Sequence, residues 1–102
     1  MKWYHYVAAF FSGAFLTNGV PHFVNGISGD AFPTPFASPP GKGLSSPLTN
    51  VLWALLNFVV GYALLKLSRT TQPNQKALLA VFAGVVCISI LSSIVFAEKL
   101  KL

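Results

Sequence analysis

The chain reads as three long apolar runs with one long and one short polar break between them. The first run covers about 3–27, and even its cleaner part, up to Val20, approaches the ~20 residues that a helix needs to cross the hydrocarbon layer of a bilayer. Its second half is less uniform and carries Thr17, Asn18, Pro21, His22 and Asn25. Pro21 has no N–H to donate and its ring crowds the carbonyl of Thr17, so a kink near Pro21 or an early helix end is expected.

Over 28–47 the composition turns to Gly, Pro and Ser, and Pro33, Pro35, Pro39, Pro40 and Pro47 exclude a long helix, which predicts a loop. Connections beyond roughly 12–15 residues without regular structure are uncommon unless they bind, cover or tether something. This one also carries Phe32 and Phe36, whose rings are expected to fold back on the helices or on a bilayer surface. Ser46 is a good N-cap, and Pro47 suits the first helical position, where its missing N–H costs nothing. The second apolar run, about 48–67, measures about 30 Å at a rise of about 1.5 Å per residue, and Lys66 and Arg69 close it. A polar turn containing Pro73 follows, and Asn74 offers a cap for the third run. That run, about 77–97, has no charge and no proline before Glu98 and Lys99. The expected fold is therefore all-α: one integral membrane domain over 1–102, with three transmembrane helices and a long Pro/Gly-rich loop between the first and second.

Composition sharpens this picture. Of 102 residues, 54% are hydrophobic and 9% charged, and the mean hydropathy is +0.65; an ordinary soluble domain carries roughly 25% charged residues. So little polar surface cannot cover a core of this size in water. The net charge of +5 does not point to nucleic acid, because the Lys and Arg residues sit at the ends of the apolar runs and form no cluster or helical stripe. Lys2 before an apolar stretch has the outline of a secretory signal, but Trp3, Tyr4, His5 and Tyr6 are unusual there and no clear cleavage site follows, so a retained span is expected. With three spans, Lys2, Lys66, Arg69 and Lys76 share one side and Lys42, Lys99 and Lys101 the other, which by the positive-inside bias places the N-terminus in the cytoplasm. Trp3, Tyr4 and Tyr6 at one interface and Trp53 near the other fit aromatic belts.

Five side chains are candidates for an intramembrane polar cluster. Asn18, His22 and Asn25 follow at i, i+4 and i+7 on one face of the first helix, and Asn50 and Asn57 share a face of the second. An amide in hydrocarbon without a partner costs several kcal/mol, so these faces are expected to meet or to line a wet cavity. The plain reading is interhelical hydrogen bonding; the sharper one is a polar pocket beneath the long loop with His22 as ligand or proton-sensitive group. His5 and His22 lie about 25 Å apart along the helix and cannot share a metal. The single cysteine, Cys87, excludes an internal disulfide. Ser89, Ser92 and Ser93 are expected to bond the carbonyl one turn back. The only carboxylates, Asp30 and Glu98, fall outside the apolar runs, which disfavours proton-driven transport. No catalytic, cofactor-binding or metal-binding set is predicted. Ala9, Gly13 and Thr17, and Ala80 and Gly84, form small-xxx-small patterns that allow close helix approach.

The stretches NGVPHFVNGISG (18–29) and PFASPPGKGLSSPLTNVLW (35–53) resemble an uncharacterised group of small bacterial inner-membrane proteins with three predicted transmembrane helices. The likeness runs from 18 to 53, about a third of the chain. It implies a multi-pass protein of the bacterial cytoplasmic membrane and brings no activity, ligand or catalytic residue. The leading functional expectation is a non-enzymatic accessory or interaction subunit of a larger membrane assembly, with the lipid bilayer and a membrane protein as partners. The alternative is a homo-oligomeric channel or small-solute transporter lined by Asn18, His22, Asn25, Asn50 and Asn57. A lipid-directed enzyme would have only His22 with Asp30 to propose.

Overall fold

The computed structural model describes residues 2–69 and 75–99. Helix α1 spans Trp3–Ile27, α2 Pro47–Leu67 and α3 Gln75–Val95, the last continued by a 3₁₀ turn over Phe96–Glu98. All three helices are long and apolar enough to cross a membrane. Pro21 does not end α1: helical backbone continues through it to Ile27. Helix α2 opens as its residues dictate, with Pro47 in the first turn and the Ser46 hydroxyl accepting the backbone N–H of Thr49 at 3.1 Å. The expected cap Asn74 lies outside the described residues.

The connection between α1 and α2 is not entirely irregular. Phe32–Pro33 (β1) pairs antiparallel with Leu44–Ser45 (β2), placing Phe32 opposite Ser45 and Pro33 opposite Leu44. Two residues a side is a short ribbon, and side chains complete it. The Thr34 and Ser45 hydroxyls bond at 2.6 Å, and the Thr34 carbonyl accepts the N–H groups of Ala37 and Gly41. Gly41 makes the return at φ 76°, a left-handed conformation that a side chain would strain. This ribbon corrects the expectation of a loop throughout 28–47. Proline-rich composition argues against helix, but it does not exclude a two-residue ladder whose N–H groups come from the other positions.

Helix α1 is the middle of the structure. It packs against both α2 and α3, while those two make at most marginal contact with each other. Accordingly 33% of the most apolar stretch of α1 is buried within the chain, against 22% for α2 and 6% for α3. Glycines set both contacts. A Cβ on Gly13 would land on the Val81 carbonyl, and one on Gly84 on the Phe10 carbonyl, so α1 and α3 meet backbone to backbone. Toward α2, Gly19 lies under the Phe58 ring, Gly26 against Val51 and the Pro47 carbonyl, and Gly61 of α2 against Leu16. Gly13 and Gly19 stand about 120° apart around a helix of 3.6 residues per turn, which aims α2 and α3 at different faces of α1.

The distribution of side chains is inverted relative to a soluble fold. The fully buried larger side chains include His22, Asn50, Asn57, Thr34 and Ser12, whereas Phe11, Val20, Leu52, Leu56, Val59, Phe82, Ile90 and Ile94 are exposed. Polar groups occupy the inside, and greasy ones the outside.

Candidate functional site

Because α2 and α3 flank α1 without closing on each other, they leave a groove whose floor is the α1 face between them. Asn18 and His22 lie on that floor. At the loop end the groove widens into a cavity of about 320 Å³ bounded by Asn18, His22, Thr34, Trp53 and Phe96. A second cavity of about 310 Å³ lies deeper, between Phe11, Phe15, Asn57 and Ile88, and shares Asn18 and Trp53 with the first.

Asn50 holds the loop end together. Its Nδ2 donates to the carbonyls of Phe32 at 2.9 Å, Ser45 at 3.2 Å and Ser46 at 3.0 Å. Three carbonyl acceptors fix which end of the amide is nitrogen, so Oδ1 is the atom that meets His22 Nδ1 at 2.8 Å. His22 Nδ1 therefore carries the ring proton and donates, and Nε2 keeps its lone pair. One buried amide thus ties α1 to α2 and both to the two strands of the ribbon.

Two turns further into α2, a second tie is made. Asn18 Nδ2 donates to Asn57 Oδ1 at 3.0 Å, and Asn57 Nδ2 donates to the Trp53 carbonyl at 2.8 Å. A double-mutant cycle on Asn18→Ala and Asn57→Ala, followed by unfolding in mixed micelles, should give a coupling energy of about 0.6 kcal/mol. Strict additivity of the two substitutions would contradict this bond.

Asn25 does not join the cluster. It shares the helical spacing of Asn18 and His22, but its Nδ2 turns back to the Pro21 carbonyl at 2.8 Å, and it borders neither cavity. An acceptor one turn away satisfies the amide without any partner from α2. His22 and Asp30 are likewise not paired: the ring bonds Asn50, while Asp30 is exposed beyond the end of α1. Ser93 Oγ bonds the Ile90 carbonyl one turn back, at 2.6 Å.

Spacing along the chain missed the aromatic surroundings of His22. The rings of Phe32, Phe96 and Trp53 stand edge-on to the imidazole at centroid distances of 5.4, 5.9 and 6.4 Å, and Phe36 stands edge-on to Trp53 at 5.0 Å. These rings come from the ribbon, from the turn after α3, from α2 and from the loop tip, so no local periodicity unites them. The Trp53 Nε1–H is buried and meets no hydrogen-bond acceptor among the described residues. Lys42 of the loop reaches Glu98 at 3.4 Å, an exposed pair that contributes little stability.

Chemically, the site offers one imidazole acceptor, one unpaired indole donor and a set of paired amides. The imidazole has no carboxylate partner, and among the described residues no three His, Cys, Asp or Glu side chains converge on a point where a metal could sit. No family model, curated protein or solved structure matches the chain.

Proposed function

We propose that the chain is a multi-pass protein of a bacterial cytoplasmic membrane, with its N-terminus in the cytoplasm and the Pro/Gly-rich loop outside, and that it serves without catalysis as an accessory subunit of a larger membrane assembly. The inverted side-chain distribution supports insertion: exposed Leu, Ile, Val and Phe on all three helices are costly in water and at home among lipid tails. The bacterial location rests on the resemblance carried by 18–29 and 35–53, and the orientation on the cations Lys2, Lys66 and Arg69 at one end of the helices.

The accessory role is carried by one observation, the near absence of burial along α3. Helix α3 packs on α1 through Val81, Gly84 and Val85 and leaves the greater part of its surface exposed. That surface includes Ala83 and Cys87, two exposed small residues four apart, over which another helix could approach closely. The channel reading has less support, because Asn18, His22, Asn50 and Asn57 bond one another and backbone carbonyls, and only Asn18 and His22 border the groove at the loop end.

A photo-reactive amino acid at position 83, activated in living cells, tests this role. A covalent adduct of discrete mass with one membrane protein is expected, and it should vanish when Cys87→Leu fills the approach. Adducts with lipid alone would overturn the accessory reading.

A further inference from the structure

The end of the molecule opposite the loop carries a second, separate site. There the first turn of α1 and the last turn of α2 enclose an open cavity of about 440 Å³ bordered by Tyr4, His5, Lys66 and Arg69. We propose that this cavity holds a phosphate group, supplied by the headgroup of an anionic phospholipid in the leaflet that surrounds it.

Charge is the first argument. Lys66 and Arg69 border the cavity, and Lys2 is the residue before α1. The only carboxylate side chains in the sequence, Asp30 and Glu98, lie at the loop end, so no acidic side chain neutralises these cations. Lys66 Nζ stands 5.8 Å from the Tyr62 ring centroid, a contact that leaves its charge intact. Clustered cations at a helix end, at the depth of the lipid phosphates, attract anionic headgroups.

The second argument is a ring N–H at the cavity edge. His5 is 8% exposed, and its Nδ1 accepts the backbone N–H of Lys2 at 3.0 Å. The ring proton of the neutral imidazole therefore sits on Nε2, which meets no acceptor among the described residues and belongs to a ring bordering the cavity. An N–H placed at the edge of an open cavity can donate to an oxygen acceptor that enters it.

Backbone supplies the third. Helix α1 begins here, and although the His5 N–H is taken by the Lys2 carbonyl at 3.0 Å, the start of the helix adds positive potential. At the end of α2, Arg69 occupies a left-handed conformation, φ 55°, where glycine is the usual residue. A planar guanidinium, an ammonium, an imidazole N–H and a helix start are complementary donors for a tetrahedral oxyanion. The proposal rests on membrane insertion but not on the accessory role.

The test uses the full chain in nanodiscs, read by native mass spectrometry for retained lipid and by the ¹⁵N resonance of His5 Nε2. Failure to enter nanodiscs would strike at insertion itself, before any lipid is counted. In discs mixing phosphatidylglycerol and phosphatidylcholine, retention of phosphatidylglycerol should exceed that of phosphatidylcholine by about tenfold or more. The preference should be lost in the Lys66→Gln/Arg69→Gln double variant and kept in Lys42→Gln, which removes a cation from the opposite end. The Nε2 resonance should move on adding phosphatidylglycerol to phosphatidylcholine discs. Movement with inorganic phosphate as well would uphold the phosphate chemistry; movement with inorganic phosphate alone would overturn the lipid as its source. Equal retention of both lipids, or a preference that survives the double substitution, would overturn the site.

Discussion

Asn50→Leu is expected to detach the loop from the helices while leaving all three helices formed. The substitution keeps the branched heavy-atom outline of the side chain and removes, in one step, the acceptor of the His22 Nδ1–H and the donor shared by the carbonyls of Phe32, Ser45 and Ser46. A single buried group left without its partner costs about 1–3 kcal/mol, and here the stranded imidazole N–H is only the first of several. The two-residue ribbon has too little ladder of its own to hold the loop against that loss. Trypsin provides the measurement, because Lys42 sits in the loop with an exposed side chain. Cleavage after Lys42 in detergent-solubilised protein should accelerate by about tenfold or more, since each 1.4 kcal/mol of lost closure is a factor of ten. Asn50→Asp makes the test specific: it keeps the oxygen facing His22 but turns an acceptor toward three carbonyls, and it should open the loop at least as much. An Asn50→Asp protein as resistant to trypsin as the unsubstituted chain would refute this account.

Gly84→Ala is expected to push α3 off α1, and Gly84→Leu to do so more strongly. The added Cβ meets the Phe10 carbonyl oxygen and lies 2.9 Å from both the Phe10 carbonyl carbon and the Ala14 nitrogen. Those atoms are backbone of a packed helix, so the axes must separate. Overpacking of this kind costs about 1–3 kcal/mol, occasionally more. The effect should be large because α3 itself is held mainly by α1: it makes at most marginal contact with α2, only Ala77 and Gly84 are buried along it, and its other hold comes from Phe96 and Glu98 beyond its end. Spin labels at the exposed positions Val20 and Ile90, in a chain whose Cys87 is replaced by Ser, should report a longer and broader distance distribution in the Gly84 variants. Ala83→Leu, one residue away on the exposed side, should leave the distribution unchanged. Equal disturbance by Ala83→Leu and Gly84→Leu would show that the backbone contact is not what joins these helices.

How legible the site was in the chain varied with how local its interactions are. Ser46 and Pro47 announced the start of α2 because a cap is made within one turn. Gly13 and Gly84 were recognisable as close-approach residues, but the pattern did not say that they face each other or that Gly19, Gly26 and Gly61 serve the other interface. Asn18, His22 and Asn25 were equivalent by spacing, yet only the first two reach across to α2. Asn25 has an acceptor in the Pro21 carbonyl, and a polar side chain in an apolar setting takes whichever partner its rotamer reaches. The role of Asn50 as the loop's anchor could not be read at all, since its partners at Phe32 and His22 come from segments far away in the chain. The cavity at His5, Lys66 and Arg69 was visible only as cations flanking two runs; that they border one space follows from α1 and α2 packing side by side.

Residue order alone determined the number of helices, their approximate limits and their apolar character. Helix formation depends on the length of an uninterrupted apolar run and on caps within a turn, and both are written locally. Tertiary structure decided the rest: α1 as the shared partner, the groove between α2 and α3, the ribbon clamped by Asn50, and the aromatic rings around His22. Each of these depends on which small residue lies under which backbone and which amide finds which carbonyl, choices made among many near-equivalent faces only when the helices come together.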